Sequence, residues 1–542
     1  MKIEKKVGIV LLERKKKYMG NIVMLFTVLM LAIFPLYYRN YYSDILIVKY
    51  QFCYVLIIAM TAISLILTIG TCITGGKEYV QIQLRRWMKG MSLKNLTWSE
   101  RMMILFCMII LISTFTSDYF YESFWGNEGR YSGLFLWMLY GLMFAFVSRK
   151  LKFKEWLIEL FLFFGMAVCL LGIADYFHLD PLGFKENIFE GHRDIFTSTI
   201  GNVNSFSAIA LLYAGVAMTM FGMITKKDKI RTILYAVCTA ITFLALYTSR
   251  SDNAFLGLAA IFAFLPFCLF RTKEGILRYF VLLALFLTCG KGLAIINAMF
   301  PENVIGMDSI SGAISTIPNL GYIVIAMWFG IGIIYGHSWM CRLKGKQDSL
   351  DGTAHKAVCW IWLGFLSVAV IAVLLLIYDI NMGKHMERYG SLGNYFRWSD
   401  DWGTHRGFIW RIALENYMEF SPIHKIFGYG PETFGIITKS NNGYEMITKY
   451  GEIYDNAHNG FLQYLITIGP IGLFSYIGFL LSSAQIMIKK CKDNPAVMAI
   501  LFAAVGYVAQ ELVSIDQPVV MPIFLLLLSM GNAAGRREKM ES

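Results

Sequence analysis

Apolar runs about as long as a bilayer is thick recur along this chain from end to end, separated by short polar stretches. Runs of about 17 to 25 mostly apolar residues match the helix that crosses roughly 30 Å of hydrocarbon. Fourteen are found, at 18–38, 52–74, 102–117, 131–148, 156–175, 204–225, 232–249, 254–270, 279–297, 319–337, 357–379, 459–488, 496–513 and 519–535. The ninth is the weakest, because Lys291 interrupts it. One polar segment breaks the rhythm: it runs from Asn381 to Asn456 and is rich in Gly, Asn, Trp, Arg and Asp. Backbone groups in such a segment need water, so it belongs outside the hydrocarbon. The pattern predicts an all-α polytopic membrane protein of about 14 transmembrane helices, with one large extracytoplasmic loop, 381–456, containing short helices. No low-complexity linker divides the chain, so 1–542 reads as a single membrane domain, with 1–100 as a candidate extra N-terminal helix pair.

Composition agrees with the pattern. At 57% hydrophobic and 16% charged, the 542 residues carry more apolar surface than a soluble core hides. The net charge of +12 informs orientation. Its basic residues form no single patch interleaved with aromatics, which argues against a nucleic-acid partner. They cluster instead in alternate connections: Lys2 to Lys17, Lys77 to Arg101, Arg149 to Lys154, Lys226 to Arg231, Arg271 to Arg278, Arg342 to Lys356, Lys489 to Lys492 and Arg536 to Lys539. Positive connections face the cytoplasm. Both termini are therefore expected on the cytoplasmic side of the membrane, and the large loop outside. The first apolar run is long and lacks a small-residue cleavage site, so it is expected to stay as a membrane helix. The ten cysteines lie in spans or inner connections, with none in the large loop and no CxxC pair. Neither a disulfide framework nor a thiolate metal site is indicated.

Chemistry is expected on the long outer connections, 176–203 and 381–456. Within the larger one, Thr404 to Phe420 has helix-forming composition and is stopped by Ser421-Pro422. Arg406, Trp410, Ala413 and Tyr417 recur at helical spacing and share a face. Arg411 lies about 140° round from Arg406, with Glu415 four positions on as a ready partner. Gly428-Tyr429-Gly430-Pro431-Glu432 is a turn-forming run. His458 stands at the mouth of the twelfth span, where Asn456 or Asn459 can cap the helix. The helix N-terminus disfavours imidazolium and keeps His458 able to accept a proton, while Asp455 pulls the other way. The alternative is an interfacial histidine bonded to its own cap.

Arg250, at the outer end of the seventh span, is either a snorkelling anchor or, with Arg406, half of a guanidinium pair that grips a diphosphate. Arg130 and Arg193 are further outer cations, each with an acidic neighbour able to neutralise it. Asn202 and Asn204 open the sixth span, where they can serve as caps. Asp400-Asp401 can hold a divalent ion, yet no Asp-x-Asp occurs in any outer loop, and neither a metal nor another cofactor is expected. Glu159, Lys291 and Glu511 fall inside spans, the usual mark of an ion pathway, but they are scattered and unpaired in sequence.

The outer pieces, taken in order, resemble the O-antigen ligase and O-antigen polymerase family of bacterial membrane glycosyltransferases. The pieces are Gly129-Arg130-Tyr131-Ser132-Gly133, Gly201-Asn202-Val203-Asn204, Ser249-Arg250, Arg406-Gly407-Phe408-Ile409-Trp410, Phe427-Gly428-Tyr429-Gly430-Pro431, Ala457-His458-Asn459-Gly460-Phe461-Leu462 and Ile468-Gly469-Pro470-Ile471-Gly472-Leu473. They run from about residue 125 to the C-terminus. The resemblance implies a metal-independent, inverting transfer of a glycan from undecaprenyl diphosphate to a hydroxyl on a glycan, lipid or protein. It implies Arg250 and Arg406 on the diphosphate and His458 at the acceptor. Arg130, Arg411, Arg193, Asn202, Asn204 and Asn459 are the candidate substrate-binding side chains around them. The chain has more spans than the resemblance suggests, which leaves the first 100 residues without a role. A transporter or flippase of lipid-linked oligosaccharide or polysaccharide is the competing reading. It calls for polar residues along the helices and repeat symmetry between halves, and no such repeat is visible.

Overall fold

The computed structural model describes residues 2–541 apart from 128, 187, 225–227, 391 and 516–517. Each of the fourteen apolar stretches falls on a helix: α1 (Lys2–Ala32), α2 (Ile45–Met91), α3 (Trp98–Thr116), α4 (Leu134–Lys150), α5 (Trp156–Tyr176), α6 (Val203–Met223), α7 (Lys229–Thr248), α8 (Asn253–Phe264, extended by Pro266–Leu269), α9 (Lys273–Met299), α10 (Leu320–Leu343), α11 (Ala357–Asn381) and, after the large loop, α15 (Gly460–Cys491), α16 (Pro495–Glu511) and α17 (Met521–Glu541). Among the described residues, nine helices are long and apolar enough to cross a membrane, and Asn253–Leu269 and Pro495–Glu511 are shorter apolar helices. The fold is all-α: among the described residues, strand is confined to an antiparallel pair, Phe196–Thr197 against Gly201–Asn202.

Two boundaries differ from the hydropathy reading. α1 ends at Ala32, because Pro35 lacks an N–H and disfavours helical backbone before it. The carbonyls freed there are taken by Lys49, a fully buried side chain whose Nζ donates to Phe34, Pro35 and Tyr37 O at 2.8, 2.9 and 3.1 Å. The stretch after the second span, expected as a loop, is helical to Met91 and is redirected at Gly76 (φ 66°, ψ −171°), a conformation that needs glycine.

The hub is α6, which is almost entirely buried. Small residues let its neighbours close on it: a Cβ on Gly215 would lie 2.6 Å from Ala503 Cα of α16, and one on Gly257 of α8 would lie 2.2 Å from Leu211 Cδ2 of α6 and 2.4 Å from Gly506 O of α16. This is the tight approach by which helices associate where lipid supplies no hydrophobic drive. At the other extreme, no residue of α11's most apolar window is buried. A helix apolar all round with no protein cover suits lipid.

The large loop carries α12 (Trp402–Glu419), α13 (Pro422–Phe427) and α14 (Phe434–Tyr450). It has its own core, in which Phe408, Ile412, Phe434, Met446 and Ala457 meet Ile466 of α15. The join to α15 follows from Pro470, which cannot donate to the carbonyl four residues back. With Gly469 non-helical (φ 71°), that carbonyl, Ile466 O, accepts the Tyr429 N–H at 3.2 Å, and Thr467 O accepts Gly430 N–H and Ser113 Oγ–H, both at 2.8 Å. Gly428 (φ 73°) makes the approach feasible, since a Cβ there would sit 2.2 Å from Thr467 C. Gly428→Ala is expected to cost at least about 1–3 kcal/mol in backbone strain and to expose segment 421–433 to limited proteolysis. Wild-type resistance in the variant would show that the contact does not hold the loop.

Candidate functional site

The site begins with three successive left-handed residues, Gly403 (φ 62°), Thr404 (φ 60°) and His405 (φ 66°), ahead of the regular part of α12. Non-glycine residues pay for that conformation. Here His405 is held by a hydrogen bond between its Nδ1 and Tyr454 Oη at 2.7 Å and by the Tyr450 ring, 4.1 Å away. The bend folds Arg406 back, so that its Nη1 donates to Gly403 O at 2.6 Å and its Nη2 to Asn253 Oδ1 at 3.2 Å.

From Asn253 a polar relay crosses to α6. Asn253 Nδ2 and Ser251 Oγ both donate to Asn204 Oδ1, at 3.4 and 2.8 Å, and the Asn204 backbone N–H donates to Asn202 Oδ1 at 2.8 Å. Asn202 is therefore the helix cap and Asn204 the relay. Arg250, itself left-handed (φ 54°), donates from Nη2 to Asp308 Oδ2 at 3.2 Å, and its Nη1 lies 3.9 Å from Asp194 Oδ2. Between the two arginines, Asp252 accepts the Ile310 N–H at 3.0 Å. Arg250 and Arg406 are thus joined through Ser251, Asp252 and Asn253.

His458 completes the group. Its backbone (φ 48°) donates to Asn456 Oδ1 at 2.8 Å, and Asn459 caps α15 by accepting the Leu462 N–H at 3.0 Å. Trp410, on the helix face of Arg406, donates Nε1–H to Ala457 O at 2.9 Å and so ties α12 to the histidine's segment. Arg130 pairs with Asp455 through both nitrogens of one edge, Nε at 3.1 Å and Nη2 at 2.7 Å. Burial, then the charges of Arg406 and Arg130, push the His458 imidazole down to about 4, against the pull of Asp455. The imidazole is neutral at pH 7 because of burial and of two cations distant in sequence, where the sequence points to the helix terminus.

The arginines of the site are incompletely satisfied. Arg130 Nη1, Arg250 Nε and Arg406 Nε are buried and have no hydrogen-bond partner among the described residues. Unmade donors of this kind are costly, and an anion with several oxygens would supply what they lack. Arg411 is the contrast. It is held by Asp400 at 3.1 Å, Glu415 at 3.1 Å and Glu445 at 2.8 Å, so its donors are occupied by carboxylates. Asp400 is also bridged by Lys449 at 2.6 Å, and among the described residues no cluster of three metal-ligating groups occurs. Arg193 is exposed and donates to Ile188 O at 3.2 Å, while its neighbour Asp194 turns to Arg250.

Sequence reasoning missed Asn253, Asp308 and Asp455 as partners. Asn253 is the first residue of α8, and its partner Arg406 lies 153 positions away, so nothing local marked the pair. Nothing in the sequence around Asp308 marked the short helix Ser309–Ser315 beside Arg250.

Residues 304–477 match the family model for O-antigen ligase. A search of curated proteins found no match. The matched segment contains Arg406, Arg411, His458 and Asn459. Asn253, Asn204, Arg250 and Arg130 lie outside it and reach it through the hydrogen bonds and ion pairs above.

In protein with ¹³C-labelled histidine, the His458 resonance is expected to titrate near pH 4. Its folded value lies below the unfolded 6.5, so the unfolded chain binds more protons between the two, and stability falls as pH drops through that window. Arg130→Gln should move the midpoint upward by removing a like charge. A wild-type midpoint at 6.5 would contradict the buried, cation-flanked placement.

Proposed function

We propose that this protein is a bacterial membrane enzyme that transfers a glycan from undecaprenyl diphosphate to an acceptor hydroxyl, with inversion and without a metal, at the outer membrane face; the match of residues 304–477 to the family model for O-antigen ligase supports the reading. The observation that carries the reading is a set of three arginines, each with one buried donor left over: Arg406 and Arg130 act on a neutral His458, and Arg250 is joined to Arg406 through Ser251, Asp252 and Asn253. A lipid diphosphate is the leaving group such a set suits, because negative charge grows on it as the bond to the sugar breaks.

In the proposed step, the acceptor oxygen attacks the anomeric carbon from the face opposite the diphosphate. The new C–O bond forms as the old one breaks, and the electron pair leaves with the lipid diphosphate. The hydroxyl proton passes to the His458 imidazole, whose depressed basicity makes it a proton-accepting and positioning group rather than a strong base. Arg406 and Arg250 stabilise the departing diphosphate, and Arg130 helps keep His458 unprotonated. Asn204 and Asn253 orient Arg406 without touching substrate.

The competing transporter reading would use charge along the helices. Glu159 is paired with Arg231 at 3.2 Å, and Glu511 accepts the Tyr476 hydroxyl at 3.0 Å. Each is satisfied locally, which favours the transferase.

Purified protein given a lipid-diphosphate glycan should release free lipid diphosphate in the presence of EDTA. Activity that vanishes on chelation and returns with Mg²⁺ would overturn the arginine mechanism. Arg250→Lys and Arg406→Ala are expected to lower kcat by on the order of 10²-fold or more, the scale of losing one preorganised transition-state donor. Asn253→Ala should lower it less. Near-normal turnover in both arginine variants would remove the site assignment.

A further inference from the structure

A second feature of the molecule lies at the opposite end of the bundle. α4 leaves the Arg130 turn and ends at Lys150, about 25 Å away at 1.5 Å per residue. There a cleft of about 1020 Å³ opens between α1, both halves of α2, α4 and α17. Among the described residues, six cations line it, Lys15, Lys16, Arg86, Arg149, Lys150 and Arg536, and no Asp or Glu does. Glu100 neutralises two of them at once, pairing with both Arg149 and Arg536. Lys15 donates to the neutral Gln83 Oε1 at 3.3 Å, and no carboxylate pairs with it among the described residues. Desolvation, and then the charges of Lys15, Arg149, Lys16 and Arg536, push the Lys150 ammonium down. The cations therefore crowd one another.

The walls below this charged rim are apolar, formed by residues such as Leu65, Leu84 and Phe146. The second half of α2, turned aside at Gly76, forms one wall. It carries Lys77, Arg85, Arg86 and Lys89 together with exposed Val80, Ile82, Leu84, Trp87 and Met88. That composition, basic on one side and apolar with a tryptophan on the other, is the kind that lies in a membrane interface.

From the convergence of these cations over an apolar cleft, we infer that residues 10–91, with α4 and α17, form a binding site for an anionic phospholipid, its phosphate among Lys15, Lys16 and Arg86 and its acyl chain along Leu65 and Phe146. Charge complementarity selects this occupant. A zwitterionic lipid brings its own cation into the crowd, and a free phosphate leaves the apolar walls wet. The site gives the first 100 residues a role that is separate from the arginine and histidine group.

The test uses full-length protein in detergent, with thermal-shift titration and native mass spectrometry. Phosphatidylglycerol should raise Tm and stay bound, whereas phosphatidylcholine and glycerol 3-phosphate should do neither. Lys15→Gln/Lys16→Gln/Arg86→Gln should weaken phosphatidylglycerol binding by at least about 10-fold, a lower bound for removing three cations that each attract anionic lipid. A photoactivatable phosphatidylglycerol added to the wild type should label peptides within 61–91, which keeps the test open should the triple variant fail to fold. Equal binding of the two phospholipids, binding unchanged in a folded triple variant, or labelling confined to other helices would each overturn the site. All three readouts are independent of transfer activity.

Discussion

A backbone N–H or C=O left unpaired in hydrocarbon costs several kcal/mol, and that constraint shapes this molecule beyond making it helical. Wherever a helix must break, another group has to arrive. At Gly469-Pro470 the arrivals are Tyr429 and Gly430, which bring the large loop down onto α15. At the end of α1 the arrival is Lys49, and at the end of α6 it is Arg278, which donates to Phe221 O at 2.8 Å. The loop is thus seated on the membrane helices by the same rule that forbids irregular backbone within them. The loop's last residues lead directly into His458, eleven positions before Gly469.

Electrostatics then separate arginines that look alike in sequence. Arg406 and Arg411 sit on one helix, five positions apart. Arg411 faces three carboxylates and is saturated. Arg406 is pulled inward by Asn253 and a main-chain carbonyl, keeps a buried Nε without a partner, and is held below its ordinary basicity by desolvation. A guanidinium bound mainly by neutral oxygens retains its field for an incoming anion. The same field, added to burial, keeps His458 neutral. One arrangement of charge therefore leaves buried guanidinium nitrogens unpaired among the described residues and keeps an imidazole neutral, the two conditions that the proposed transfer requires.

The two ends of the bundle are built on different terms. Around Arg406 the cations are matched to carboxylates and amides supplied by several helices, and the residual donors are few and directed. Around Lys15 and Lys150, among the described residues, Glu100 alone supplies a carboxylate and the remaining cations crowd one another over an apolar cleft. The first arrangement suits a substrate held in one geometry, the second a lipid held by charge and chain.

Local pattern made much of this legible. The fourteen apolar stretches, the helix that runs up to the stop at Ser421-Pro422, the shared face of Arg406 and Trp410, the Arg411–Glu415 pair and the Asn459 cap all depend on residues within a turn or two of one another, where periodicity and capping rules operate, whereas the left-handed Thr404 and His405 at the start of that helix depart from the helical expectation. Even the Gly469-Pro470 break is visible as a dipeptide. What the chain could not disclose by itself is which distant groups answer one another: Asp455 for Arg130 across 325 positions, Asp308 for Arg250 across 58, Asn253 for Arg406 across 153. Those pairings exist only once the helices are packed around α6, because hydrogen bonds of a few ångströms are set by the order and tilt of whole helices, and sequence separation carries no record of that.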